Sequence, residues 1–367
     1  MSGESSRSVI DTIIRRGSPS RIGIYDRIWT DTLRRWVAEQ GYPTETNGEP
    51  VDPHDHFGFD LVAVGGGFDP MPHAGVREVV DETDAWVVIR NGAGAMLKSW
   101  KHKSGTPEHV GFTLTSREIW DREYRHLLLD LEPARVDVEA ARERLARHRA
   151  AGKWVFYQHM FIWETMRQSL GDECMYETLL VDPDWVLDYN RVYTDFYKRH
   201  FAYLIERAGK PDGVRLCEDL AYSRGLFCSP RVLEELVFPF YREIIDFFHD
   251  YELPVIFHCC GNVTEALPCL VDLGIDMLDP MERKAGCSPV EFARGFGNRI
   301  AFRGGLDVRV MESGDRDLIR REVVSLIDAV KREGARYVFS SDHSVSTGVA
   351  YQDFAYAVAV AREHSAY

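Results

Sequence analysis

The 367-residue chain predicts an α/β fold, one (β/α)8 TIM barrel with a hairpin and a helical insertion at its C-terminal rim. Three observations lead there. Eight short apolar runs are nearly continuous in Val, Ile, Leu, Phe or Ala, as strands buried on both faces should be. Helical periodicity fills the gaps between them, and the polar residues collect where the runs end. An open doubly wound sheet with a helical insertion is the competing arrangement. Without an internal repeat, low-complexity tract or linker, residues 1–367 read as a single domain.

In chain order the runs are 21–26 (RIGIYD), 60–66 (DLVAVGG), 153–160 (KWVFYQHM) and 213–220 (GVRLCEDL). The other four are 254–261 (PVIFHCCG), 275–282 (IDMLDPME), 299–307 (RIAFRGGLD) and 336–343 (RYVFSSDH). Residues 136–151 carry Val, Leu and Ala on one helical face, and 317–332 repeat apolar side chains at Ile319, Val323, Ile327 and Val330. Ser229-Pro230 and Ser288-Pro289 combine an N-cap serine with proline at the first helical position. Gly274 and Gly334 close helices before the next strand. The N-terminal residues MSGESSRSVIDTIIRRG read as an amphipathic helix with no apolar export core.

Two stretches interrupt the repeat. Residues 84–101 alternate around Asn91-Gly92, a hairpin signal. Residues 161–209 read as almost wholly helical, with a break near Asp182-Pro183. Both are expected in βα loops on the C-terminal rim, as parts of a lid.

Composition excludes several functions. With 44 Lys+Arg against 58 Asp+Glu the net charge is −14, which disfavours nucleic acid as a partner. No apolar stretch approaches ~18 residues, so no membrane span is expected. Seven dispersed cysteines, an odd number, do not form a disulfide framework, and a cytoplasmic location is expected. No G-x-S-x-G, HExxH or CxxC occurs, and the phosphate-loop likeness of 92–99 lacks the glycine before Lys98.

The sharpest local signal is His258-Cys259-Cys260-Gly261-Asn262. Residues two apart on a strand share a face, so His258 and Cys260 converge while Cys259 points away. An imidazole and a thiolate are two of the three ligands that a catalytic zinc requires. Gly261 permits a tight turn, and Asn262 is placed to cap the next helix. Asp342 and His343 end the last strand, and either could complete the site; a hydrogen-bonded loop pair is the plainer reading. Glu218 and Asp219 end the fourth run as weaker candidates for ligand or general base, and a carboxylate there could instead hold a barrel arginine such as Arg303. Gly65-Gly66-Gly67 could admit a ligand close to the backbone, whereas His54-Asp55-His56 reads as a solvated loop. Glu282 and Asp307 are further acidic groups expected on the C-terminal rim.

The run from His258 to Glu282, HCCGNVTEALPCLVDLGIDMLDPME, resembles the uroporphyrinogen decarboxylase superfamily. RGGLD, YVFSSDHSVSTGV and LCEDLAYSRGLFCSPRVLEELVFPFYREI follow that pattern in order and spacing, and the resemblance runs from about residue 21 to the C-terminus. It implies a (β/α)8 barrel. True decarboxylases of the family work without metal and carry an arginine-rich segment after the first strand and an aspartate ending the second. Here only Arg27 remains of the cluster, and the aspartate position falls near Gly67.

The resemblance is closer to the zinc-dependent, corrinoid-linked methyltransferases, whose ligands include the His and Cys of H-x-C. These match His258 and Cys260, and the last strand places His343 where the third ligand, a cysteine in the family, would lie. It implies Zn2+, a corrinoid (methylcobalamin) on a partner protein, and a small methylated compound or thiol as substrate. Glu218, Asp342 and Asp307 are then the candidate catalytic groups, and Arg27, Gly66, Gly67, Asn262 and Glu282 the candidate substrate-binding ones. A cofactor-independent decarboxylase is the runner-up, and a non-catalytic binding protein on an inherited barrel is the third reading.

Overall fold

The computed structural model describes residues 4–64, 67–102 and 106–367. All eight runs form strands: β1 Gly23–Ile24, β2 Leu61–Ala63, β3 Trp154–Met160, β4 Gly213–Cys217, β5 Val255–His258, β6 Met277–Asp279, β7 Ala301–Arg303 and β8 Tyr337–Phe339. They are parallel and ordered β1-β8-β7-β6-β5-β4-β3-β2. The seam between β1 and β2 is joined by Asp60, whose N–H donates to the Ile24 carbonyl at 2.8 Å and whose carboxylate accepts the Ile24 N–H at 2.8 Å. Competition from an open sheet is thereby settled for a nearly closed barrel. Most ladders are shorter than the apolar runs, because the run ends bond to rim and base loops.

Helices alternate with the strands, as a parallel barrel requires. They are Thr30–Glu39, Val138–Ala150, Pro183–Ala208, Phe238–Asp250, Leu267–Leu273, Pro289–Phe296, Arg316–Arg332 and Tyr351–Glu363. The cap signals hold: Ser229 accepts from the Val232 N–H, Ser288 accepts from the Glu291 N–H, and Gly274 adopts φ 99°. The helix Ser6–Ile14 buries Val9, Ile10, Ile13 and Ile14, and Arg7 reaches Asp212 beneath β4, so this helix closes the N-terminal end. No helix among the described residues is long and apolar enough to cross a membrane.

The expected hairpin forms, with Trp86–Asn91 antiparallel to Ala95–Trp100. It is the centre of a four-stranded sheet whose flanking strands, Arg77–Glu82 and Glu108–Phe112, were not foreseen. Those edges are charged and weakly alternating, which hides them from a periodicity reading. Helices also fill 161–209, with Asp182 capping and Pro183 at the first position. Only Ile162–Leu170 and Asp172–Val181 belong to the rim; Pro183–Ala208 packs beside Val138–Ala150 and Phe238–Asp250 in the outer helical layer, so it is not part of a lid.

Candidate metal centre

Register builds the site. In the parallel sheet His258 pairs with Cys217 on one side and Asp279 on the other. Neighbours in register point the same way, so these side chains share the barrel interior at its C-terminal end. The chain after β5 is then held from both sides. The Cys260 N–H donates to Asp219 Oδ1 at 2.9 Å, and the Gly261 N–H donates to Glu282 Oε2 at 2.7 Å. Gly261 sits at φ 79°, where a Cβ would come 2.5 Å from the Ala221 backbone, so glycine is required.

His258 Nε2 lies 3.4 Å from Cys260 Sγ and 3.7 Å from Asp219 Oδ1. Candidate donor atoms of Asp219, His258 and Cys260 all fall within 4.8 Å of one another. The other imidazole nitrogen, Nδ1, is 3.4 Å from Asp279 Oδ1, and neither atom has a hydrogen-bond partner among the other described residues. Burial, reinforced by Arg215, pushes the His258 pKa well below its ordinary value, so the ring is neutral and able to ligate. Burial and then Asp219 push the Cys260 thiol well up. A bound cation reverses that preference, since it favours the thiolate.

Asp279 is fully buried and also meets two arginines. Arg215 Nε donates to its Oδ2 at 3.1 Å, and Arg303 Nη2 contacts the same oxygen. Burial and the proximity of Arg215 lower the Arg303 pKa to about 9. Nearby Asp26, taken out of water, has its carboxyl pushed up to about 6. Two cavities meet here. The inner one, about 230 Å³, is lined by Arg303, Ser341, His343 and Cys260 among others; the outer one, about 630 Å³, by His109, Phe112, Glu164 and Arg167 among others. Arg27, Thr106, Asp219 and His258 border both, so the donor cluster stands between them. His109 and Phe112 come from the inserted sheet and Glu164 from the first insertion helix, which puts that sheet and the start of the helical insertion over the rim.

Several expected roles change. The third member of the cluster is Asp219, not His343, whose ring instead meets Trp29 edge-on with centroids 6.0 Å apart. Glu218 borders the outer cavity but is fully buried and accepts from the Trp163 and Glu164 N–H groups and from the Tyr241 hydroxyl, so its carboxylate holds the start of the helix Ile162–Leu170. Asp342 likewise is consumed by the Arg283 and Val308 N–H groups, tying two rim loops together. Asp307 caps Val308–Glu312 and pairs with Arg309, away from both cavities.

Among the expected substrate groups, Arg27 does reach the cavities. Glu282 shapes the β5 loop instead. Asn262 makes a local turn to the Thr264 N–H and does not cap Leu267–Leu273, whose N-cap is Ala266. Gly67, at φ 75°, faces the Leu204 side chain of the outer helix, and Gly66 lies outside the described residues. Asp279 and Arg215 were missed. The signal was a charged residue inside each otherwise apolar strand, which is costly unless paired across the barrel.

An eight-stranded α/β barrel with its polar cluster at the C-terminal rim defines a (β/α)8 enzyme-type scaffold. Residues 173–364 match the uroporphyrinogen decarboxylase (URO-D) family model, over half of the chain, and the protein belongs to that family. Its structure is similar to that of a methyltransferase from Methanosarcina mazei, at 12% identity and TM-score 0.71, over 98% of this chain and 99% of that one. At that identity the likeness is one of fold. An endo-β-1,4-xylanase from Gloeophyllum trabeum aligns at 11% identity and TM-score 0.41, over 64% of this chain and 83% of that one, and carries no argument. No curated protein sequence matches.

Proposed function

We propose that this URO-D family member is a methyltransferase with a zinc ion held by Asp219, His258 and Cys260. It would move a methyl group between a small methylated compound, or a thiol, and a corrinoid carried by a partner protein. The observation carrying this reading is the convergence of carboxylate, imidazole and thiol from two adjacent strand ends, which leaves an open face toward the cavities. One oxygen, one nitrogen and one sulfur donor suit zinc.

The chain's own contributions follow from the contacts. Asp279 faces His258 Nδ1 and directs Nε2 toward the cluster, the arrangement that fixes a ligand's tautomer. Asp219 holds the Cys260 backbone as well as offering a ligand oxygen. The inserted sheet and the helix Ile162–Leu170 wall off the outer cavity, where a corrinoid would approach. Zinc at this position supplies a Lewis acid that stabilises a thiolate or polarises a methylated heteroatom.

The decarboxylase reading is less supported at the two positions where the resemblance to true decarboxylases lapses. Arg27 alone follows β1, and Leu204 lies 2.8 Å from where a Cβ at Gly67 would stand, so no second-strand carboxylate fits there without a shift. Seven free cysteines accord with a reducing compartment such as the cytoplasm. The test is metal content of protein purified without added zinc, followed by demethylation of methylcobalamin with small thiols. Near-stoichiometric zinc in wild type and in Cys259→Ala, with loss in Cys260→Ala, is expected. Wild type without metal, or retention in both variants, overturns the zinc centre.

A further inference from the structure

The inner cavity is lined by a guanidinium that is only partly satisfied among the described residues. Arg303 ends β7 with its side chain 5% exposed and its guanidinium 4.5 Å from the Tyr25 ring centroid. Nη2 meets Asp279, but Nε and Nη1 have no hydrogen-bond partner among the described residues. Asp279 cannot answer for both, since Arg215 shares it. Asp26, a buried carboxyl that does border this cavity, already accepts from the Arg27 and Ser341 N–H groups and from the Ser340 and Ser341 hydroxyls. Buried donors of a charged group without acceptors are expensive to keep, and an anionic ligand relieves that cost. The same small cavity is bordered by His258, Cys260 and Asp219.

We propose that the inner cavity binds the small-molecule substrate through a carboxylate on Arg303, with the substrate's methylated heteroatom at the Asp219–His258–Cys260 end. The substrate class is thus a small methylated carboxylic acid. The placement of the methylated end rests on the methyltransferase reading; the anion subsite does not.

The experiment is calorimetric titration of metal-free and zinc-loaded protein with methoxyacetate, methoxyacetamide and inorganic phosphate. Methoxyacetate is expected to bind both forms at least tenfold more tightly than the amide, and more tightly than phosphate. Arg303→Met should remove the preference and Arg303→Lys should keep most of it. Equal binding of acid and amide overturns the proposal, as does acid binding that requires zinc, a phosphate preference, or an unchanged preference in folded Arg303→Met. If Arg303→Met does not fold, Arg27→Met decides: a preference that survives supports Arg303, and one that collapses transfers the anion to Arg27 and overturns the assignment. Acid selectivity in a protein that binds no zinc keeps the subsite and sinks the methyltransferase reading. Zinc binding without acid selectivity does the reverse.

Discussion

Asp279 Oδ1 and His258 Nδ1 face each other across 3.4 Å at paired positions of adjacent parallel strands. Such a pairing sets which imidazole nitrogen is free, and the loss of a group of this kind costs about 10–100-fold in metal affinity. Asp279→Asn is expected to weaken zinc by that factor in a chelator competition while His258 and Cys260 remain. It should also lower stability, since two buried guanidinium groups lose their counter-charge. A folded Asp279→Asn protein with unchanged zinc affinity would show that Asp279 serves the arginines only.

The third ligand separates two residues. Asp219→Asn is expected to lower zinc affinity by at least tenfold, and His343→Gln to leave it within about twofold, since a protein ligand contributes far more than a neighbouring ring. Cobalt substitution offers an independent readout, because the ligand-field spectrum follows the donor set. A spectral change in His343→Gln and none in Asp219→Asn would restore the histidine.

Glu218 has three donors pointed at it, although it also borders the outer cavity. Glu218→Ala leaves those donors buried without an acceptor, at about 1–3 kcal/mol for each unsatisfied group. Thermal denaturation should show a clear loss, with a smaller one for Glu218→Gln. Turnover per folded molecule should survive in Glu218→Gln. Abolished turnover at wild-type stability would return Glu218 to the role of base.

His200 provides a pH signature remote from the cluster. It is fully buried, with its Nδ1 2.8 Å from the Phe196 carbonyl and the Glu132 N–H directed at Nε2. Burial lowers its pKa from 6.5 to about 4. The unfolded chain therefore takes up this proton at higher pH than the folded one. The stabilisation is complete above pH 6.5 and is lost as pH falls toward 4. In urea titrations across that window, the stability difference between wild type and His200→Phe should shrink as pH falls. A constant difference would mean that His200 does not titrate there.

How much was legible in the amino-acid order differs sharply between elements. Eight buried strands, their helical partners, the serine-proline caps and the Asn91-Gly92 turn were all readable, because each is a local pattern of period two, period three to four, or backbone conformation. His258 and Cys260 were readable as a pair for the same reason, and Cys259 duly lies in the core. The flanking strands of the inserted sheet were not, since an exposed, charged strand carries little periodic signal.

The sequence by itself determined the barrel and the two converging side chains, His258 and Cys260. Tertiary structure alone decided what meets them. Asp219 rather than His343 joins the cluster, Asp279 backs His258, and Glu218, Asp342 and Asp307 are spent on backbone N–H groups. The physical reason is that alternation specifies the face to which a strand residue points, but not the inter-strand register or the loop path. A carboxylate at a strand end has the same local sequence whether it finds a metal, an arginine or a helix N-terminus.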